Sequence, residues 1–316
     1  LQGGLEVLLH LLAAFAQGST PDPIRLVRDI QRAVDYNGGA AMERSWRASL
    51  QRRPRDPASL LAVATFARAR YRYEESDSLL TRLAADPAPT WRAMASLGMA
   101  TWRALGSEPM RADSLYERAR ALAREGGSRL VEAEATLGLA QLRQRSRGVA
   151  VGQALLGEWW SLLARPSAAD SAQRLCLTGS MEEQRGDTTG YRRIVAGARI
   201  AESREEWRVA GTCRLAHAQA AERRGFVAGA RVPARLALEH FARIRYELGT
   251  ALASQWYGYV LVRSDRFAEA RQLLERAILA ARATRFASVE AWAHTGLAEL
   301  HLQLGDLGRA RAHAVR

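Results

Sequence analysis

The chain of 316 residues contains no lysine: all 46 basic side chains are arginine, set against 33 acidic ones for a net charge of +13. Asparagine is nearly as scarce, with Asn37 alone. Arginine standing wherever lysine would serve equally well points to a GC-rich coding bias, which discounts the basic balance as a nucleic-acid signal. The basic clusters QRRPR at 51–55 and RQRSR at 143–147 fall at expected helix ends. Cations there favour the helix macrodipole. A solvated face is the plainer reading, and an Arg-rich phosphate-binding stripe is the weaker alternative.

Cysteine is limited to Cys176 and Cys213. Their spacing fits no zinc pattern, which leaves buried small hydrophobes as the first reading and a pairing between neighbouring segments open. Runs of β-branched residues bounded by turn signals are also lacking, which excludes a sheet-based fold and makes the chain all-α. No apolar run is long enough to span a bilayer. The longest, LEVLLHLLAAFA at 5–16, ends in Ala14-Phe15-Ala16, a small-x-small site of the kind that closes a signal-peptide h-region. A basic n-region is missing. Residues 1–18 are therefore read either as a signal-like segment, with a periplasmic or exported protein, or as an amphipathic helix of a cytoplasmic one.

Catalytic motifs are absent too. There is no Walker loop, dinucleotide fingerprint, Gly-x-Ser-x-Gly elbow or His-Glu-x-x-His. His294 and His301 share a helix face but stand about 10 Å apart along it, too far to chelate one metal ion directly. Glu182-Glu183 and Glu205-Glu206 are adjacent residues, which do not face each other on a helix. We assign no catalytic, cofactor-binding or metal-binding residue.

What the chain does have is a period. Small-residue pairs recur at Val63-Ala64, Leu97-Gly98, Leu137-Gly138, Leu177-Thr178, Leu215-Ala216, Tyr257-Gly258 and Leu297-Ala298, spaced by 34, 40, 40, 38, 42 and 40 residues. Turn-like positions run in step at Tyr71, Gly106, Gly148, Gly186, Gly225, Asp265 and Gly305. Two markers sharing one period of about forty predict about seven helical hairpins. The small residues at Gly98, Gly138, Gly258 and Ala298 are expected to bring each first helix against Ala270-like positions of its own second helix. Pro233 should start its second helix near Val232, after a longer loop.

Tyr257-Gly258, Asp265-Arg266-Phe267, Ala270, Leu274 and Ala277 together resemble the tetratricopeptide repeat (TPR) pattern, as do Leu297-Ala298, Gly305-Asp306-Leu307 and Ala310. The resemblance is strong in these last two units and weak around 128–210. It implies an α-solenoid of antiparallel hairpins stacked in a right-handed superhelix, with first helices lining a concave groove. It also implies a non-catalytic scaffold for a protein or peptide partner. Carrying the family's ligand-facing positions across places Arg92, Met99, Trp102, Arg103, Arg143, Glu182, His217, Gln255, Tyr259, Arg263, Trp292 and Glu299 in that groove. For Trp102 and Trp292 the alternative is packing between helices; for Arg103, Arg143 and Arg263 it is a solvated face.

The longer period is similar to that of bacterial arrays beside effector domains. The alternative function is thus the sensor region of a CHAT-type peptidase, kinase or transcriptional regulator, with the effector beyond Arg316. Residues 19–56, holding amphipathic segments at 24–36 and 42–51, are expected to form an N-terminal hairpin that caps an array running from 57 to the end. The short helix expected after Gly305 suggests that the array continues.

Overall fold

The fold is a computed structural model that describes residues 22–36, 39–104, 106 and 108–315. The signal-like segment 1–18 lies outside the described residues. Sixteen helices and no strand occur among those described. They are α1 (Pro23–Asp35), α2 (Gly39–Arg52), α3 (Pro57–Ala69), α4 (Tyr73–Leu83), α5 (Pro89–Arg103), α6 (Pro109–Glu125), α7 (Arg129–Arg147) and α8 (Val149–Leu162). There follow α9 (Ala168–Gln184), α10 (Thr189–Ser203), α11 (Trp207–Arg223), α12 (Val227–Arg243), α13 (Glu247–Val262), α14 (Phe267–Thr284), α15 (Ala287–Gln303) and α16 (Leu307–Ala314). From α3 onward, consecutive helices pair as seven antiparallel hairpins. The chain divides into two compact units, Leu1–Ala164 and Arg165–Arg316.

Local chemistry explains the helix starts. Pro23, Pro57, Pro89 and Pro109 stand in first turns, where a missing N–H costs nothing. Asp22 and Asp56 accept from the amides of Arg25 and Ser59 at 2.9 and 2.8 Å, and Ser167 with Asp170 forms a reciprocal capping box.

The helix ends are more regular still in the second unit. Gly186, Glu205, Gly225, Arg245, Asp265, Arg285 and Gly305 all have positive φ, at spacings of 19 and then 20 residues throughout. The amide after each reaches back five residues, as from Asp187 to the Glu182 carbonyl (3.0 Å) and from Arg266 to that of Leu261 (2.9 Å). That bond closes the last turn and reverses the chain. Left-handed backbone is comfortable for glycine and costs about 1 kcal/mol for the arginines.

In each unit the first helices of successive hairpins also touch, α3 with α5 and α5 with α7, then α9 with α11, α11 with α13 and α13 with α15. No two second helices pack on each other to that extent. The closer row lies on the inside of the curve, so the first helices line the inner face of each unit.

Two expectations change here, and one alternative left open is decided. The small residues do not share one role: a Cβ at Gly98 would sit 2.9 Å from Leu80, and one at Gly138 2.3 Å from the Tyr116 ring, both on the second helix of the preceding hairpin. Gly258 instead abuts Leu274 of its own hairpin, and Gly296, not Ala298, takes the place of Gly98 and Gly138 by facing Leu274 of the hairpin before. The repeat register therefore slips by two residues between the units. Second, α12 begins at Val227 and carries Pro233 in its interior. The proline is buried, so packing against its neighbours outweighs the lost hydrogen bond. Third, Cys176 and Cys213 are bonded to each other, with Cα atoms 5.5 Å apart. The link staples α9 to α11, and Gly197 leaves the room for it: a Cβ there would stand 2.6 Å from the Cys176 Sγ.

Candidate functional site

Side chains on a helix rotate by about 100° per residue, so a two-residue slip turns a position by about 200°. That slip decides where the expected groove residues point. Matching Gly98, Gly138 and Gly296 by their contacts makes Arg103 and Arg143 equivalent to His301, which is 5% exposed. Both arginines accordingly face the preceding second helix. Arg103 donates to Asp77 at 2.5 Å, with its guanidinium 4.5 Å from the centre of the Trp102 ring. Trp102 stacks on Tyr73 at 5.2 Å and donates from Nε1 to Asp77 at 2.9 Å. Arg143 grips Asp113 with two bonds of 2.6 and 2.8 Å and Glu117 with a third at 2.8 Å. These hydrogen bonds hold the Asp113 carboxyl below its ordinary range.

The rest of the 143–147 cluster is occupied as well: Arg147 pairs with Asp113 at 3.1 Å, and Arg145 donates to the Ala104 carbonyl at 3.3 Å. Guanidinium groups held in this way are a poor phosphate stripe. Arg92 pairs with Glu125 at 3.0 Å and Met99 packs into the core of the first unit. Glu182 pairs with Arg193 on the second helix of its own hairpin, and Gln255 is buried.

His217 lies off the inner face too. Its Nε2 is 2.7 Å from the Tyr191 hydroxyl on the preceding second helix, and Arg214 beside it is clamped by Glu202 at 2.7 Å. Burial, reinforced by the Arg214 charge, pushes the His217 imidazole down from 6.5 to about 4, so it is neutral at physiological pH.

The remaining four residues do share a surface. Along α11, α13 and α15 a forty-residue register lines up Thr212, Leu252 and Trp292, then Gln219, Tyr259 and Glu299, then Arg223, Arg263 and Gln303. All nine are exposed or half-buried, and the spacing within each helix is that of one face. Trp292 is 63% exposed. Arg263 donates to the Tyr259 hydroxyl at 3.2 Å and stands 3.8 Å from Glu222; the hydroxyl bond, with the Glu299 and Glu222 charges nearby, keeps its pKa raised. Trp256 packs 5.4 Å from Tyr259, centre to centre. One hairpin earlier, Arg224, which follows the last residue of α11, binds Glu183 of α9 at 2.6 Å. A row of carboxylate, guanidinium and aromatic groups thus runs across the first helices of the second unit.

Glu222, Arg224 and Trp256 were missed by the sequence reading; Trp256 alone stands at helical spacing from Tyr259 and Arg263, which is a signal that could have found it. Among the described residues no group of histidine, cysteine and carboxylates is arranged to hold a metal ion, and no helix is long and apolar enough to cross a membrane.

No protein-family model and no curated protein matches the chain. Solved structures do. A Rap protein complexed with Competence and Sporulation Factor superposes with a TM-score of 0.71 over 98% of this chain and 85% of that one, at 10% identity. The fold is that of TPR-like helical repeat proteins. A Pyrococcus horikoshii signal-transduction ATPase with numerous domains, described as having a tetratricopeptide repeat sensor, gives a TM-score of 0.60 at 12% identity. It is covered over 52% of its length by 99% of this chain. BtubC from P. vanneervenii gives 0.51 at 18% identity, over 66% of this chain and 89% of that one.

Proposed function

We propose that the chain is a non-catalytic scaffold that holds a protein or peptide partner on the inner face of the second unit. The observation that carries this reading is the stripe of exposed Trp292 and Arg263 with half-buried Tyr259 and Glu299 along the first helices α13 and α15. Aromatic side chains bury a large area at small entropic cost, and a guanidinium grips a carboxylate with paired bonds. The likeness to a Rap protein solved in complex with another factor supports the same reading. Substituting Tyr259→Ala and Trp292→Ala should weaken the partner at least ten-fold in a titration with both proteins purified. Unchanged affinity in the folded double variant would remove the groove from consideration.

A second reading has its own support. The chain aligns with about half of a multidomain signalling ATPase whose sensor consists of these repeats, which favours a sensor region acting on an effector. The buried Cys176–Cys213 bond fits the exported alternative over the cytoplasmic one, since thiols in the cytosol are kept reduced.

A further inference from the structure

The helix α1 does not simply precede the array. It packs on α3 and α5, and its Arg28 reaches Glu134 of α7 at 2.6 Å, so it lies across the first helices of three successive hairpins. Ile24, Leu26, Ile30 and Ala33 are buried in one apolar cluster with Leu60 of α3, Met94 of α5 and Val131 of α7. Arg25, Arg28 and Asp35 lie on the other side of α1. By the contacts of Gly98, Gly138 and Gly296, the positions of Met94 and Glu134 correspond to that of Trp292. Trp292 is 63% exposed, whereas Met94 is 2% exposed and Glu134 is engaged by Arg28. The same inner-face position is open in the second unit and covered by α1 in the first.

We propose that the inner face of the first unit is a binding site for an amphipathic helix, which the chain itself fills with α1, so that an external helix enters only by exchange. The occupant has a defined chemistry: apolar side chains at the spacing of Leu26, Ile30 and Ala33, which form one helical stripe, with a guanidinium two residues after the first of these to meet Glu134. The inference rests on the scaffold reading but concerns a different face, so its failure would leave binding at Trp292 intact.

The test uses the full chain and a fluorescein-labelled peptide of residues 22–36. Weakening the resident helix by Leu26→Ala with Ile30→Ala should raise peptide affinity at least ten-fold over wild type in an anisotropy titration. A peptide carrying Ile30→Asp should not bind. Glu134→Arg in the weakened chain should lower affinity several-fold, and an Arg28→Glu peptide should restore it. Hydrogen exchange of the wild-type chain gives a second readout that needs no variant: α1 amides should open at least a hundred-fold more often than those of α3. Co-exchange of α1 with α3, or a folded weakened variant that ignores the peptide, would overturn the proposal.

Discussion

The two units carry one plan with opposite surfaces. In the second, every helix from α9 to α15 ends on a left-handed residue at close to twenty-residue spacing, a disulfide ties neighbouring hairpins, and the inner face is open. In the first, the spacing is irregular; charged groups join neighbouring helices in both units, as Arg143 with Asp113 and Arg224 with Glu183. Glu43 of α2 shows this: burial alone would raise its pKa, but hydrogen bonds from Arg72 and Arg47 prevail and lower it. There α1 covers the inner face. Regular turns keep the first helices in register and so align a stripe of side chains over several hairpins. Where the register wanders, the same row of helices serves as packing surface.

The disulfide offers the largest way to break this contrast. Cys176→Ser with Cys213→Ser releases a loop of 37 residues, which should destabilise the second unit by about 3–4 kcal/mol. Calorimetry should show its transition falling while that of the first unit stays in place. Next comes a packing test in the first unit: Gly138→Ala puts a methyl into the Tyr116 ring and should cost roughly 2 kcal/mol in denaturant unfolding. Gly157→Ala on the exposed side of α8 meets nothing and should gain about 0.5–1 kcal/mol.

A pH scan separates the units by less than the Gly138 clash does. The unfolded chain protonates His217 near 6.5, while the folded one resists to about 4, so stability is lost as pH falls through that window. Screening at this half-buried site reduces the effect to roughly 1–2 kcal/mol. Denaturant midpoints measured from pH 7 to 4 should be flatter for His217→Gln. Smallest is Arg285→Gly, which relieves a left-handed arginine at φ 58° and should raise stability by up to about 1 kcal/mol in the same assay.

Much of the architecture could be read without coordinates because hairpins leave periodic marks. Of the turn positions read from the sequence, Tyr71, Gly148, Gly186, Gly225, Asp265 and Gly305 have left-handed backbone; Gly106 does not. The site was less legible, for a geometrical reason. The small-residue pair recurs as Leu97-Gly98 in the first unit and Tyr257-Gly258 in the second, but Gly98 fits against the hairpin before it and Gly258 against its own partner. Reading them as one column turned Arg103 and Arg143 from an interface into a groove. The Cys176–Cys213 bond could be left only as an open alternative because 37 residues of chain separate its ends. The placement of α1 against α3 and α5, with Arg28 reaching Glu134 of α7, depends on long-range packing that leaves no local signal.

The most direct measurement is a cross-linking map in the source cell, with a photoreactive residue placed at 292 on first helix α15 or at 279 on second helix α14. Leu279 is 66% exposed and Trp292 63%, so accessibility is matched. The account predicts one discrete protein adduct from position 292, lost with Tyr259→Ala, and none from 279. Equal capture at both positions, or an adduct at 292 that Tyr259→Ala leaves unchanged, would contradict it.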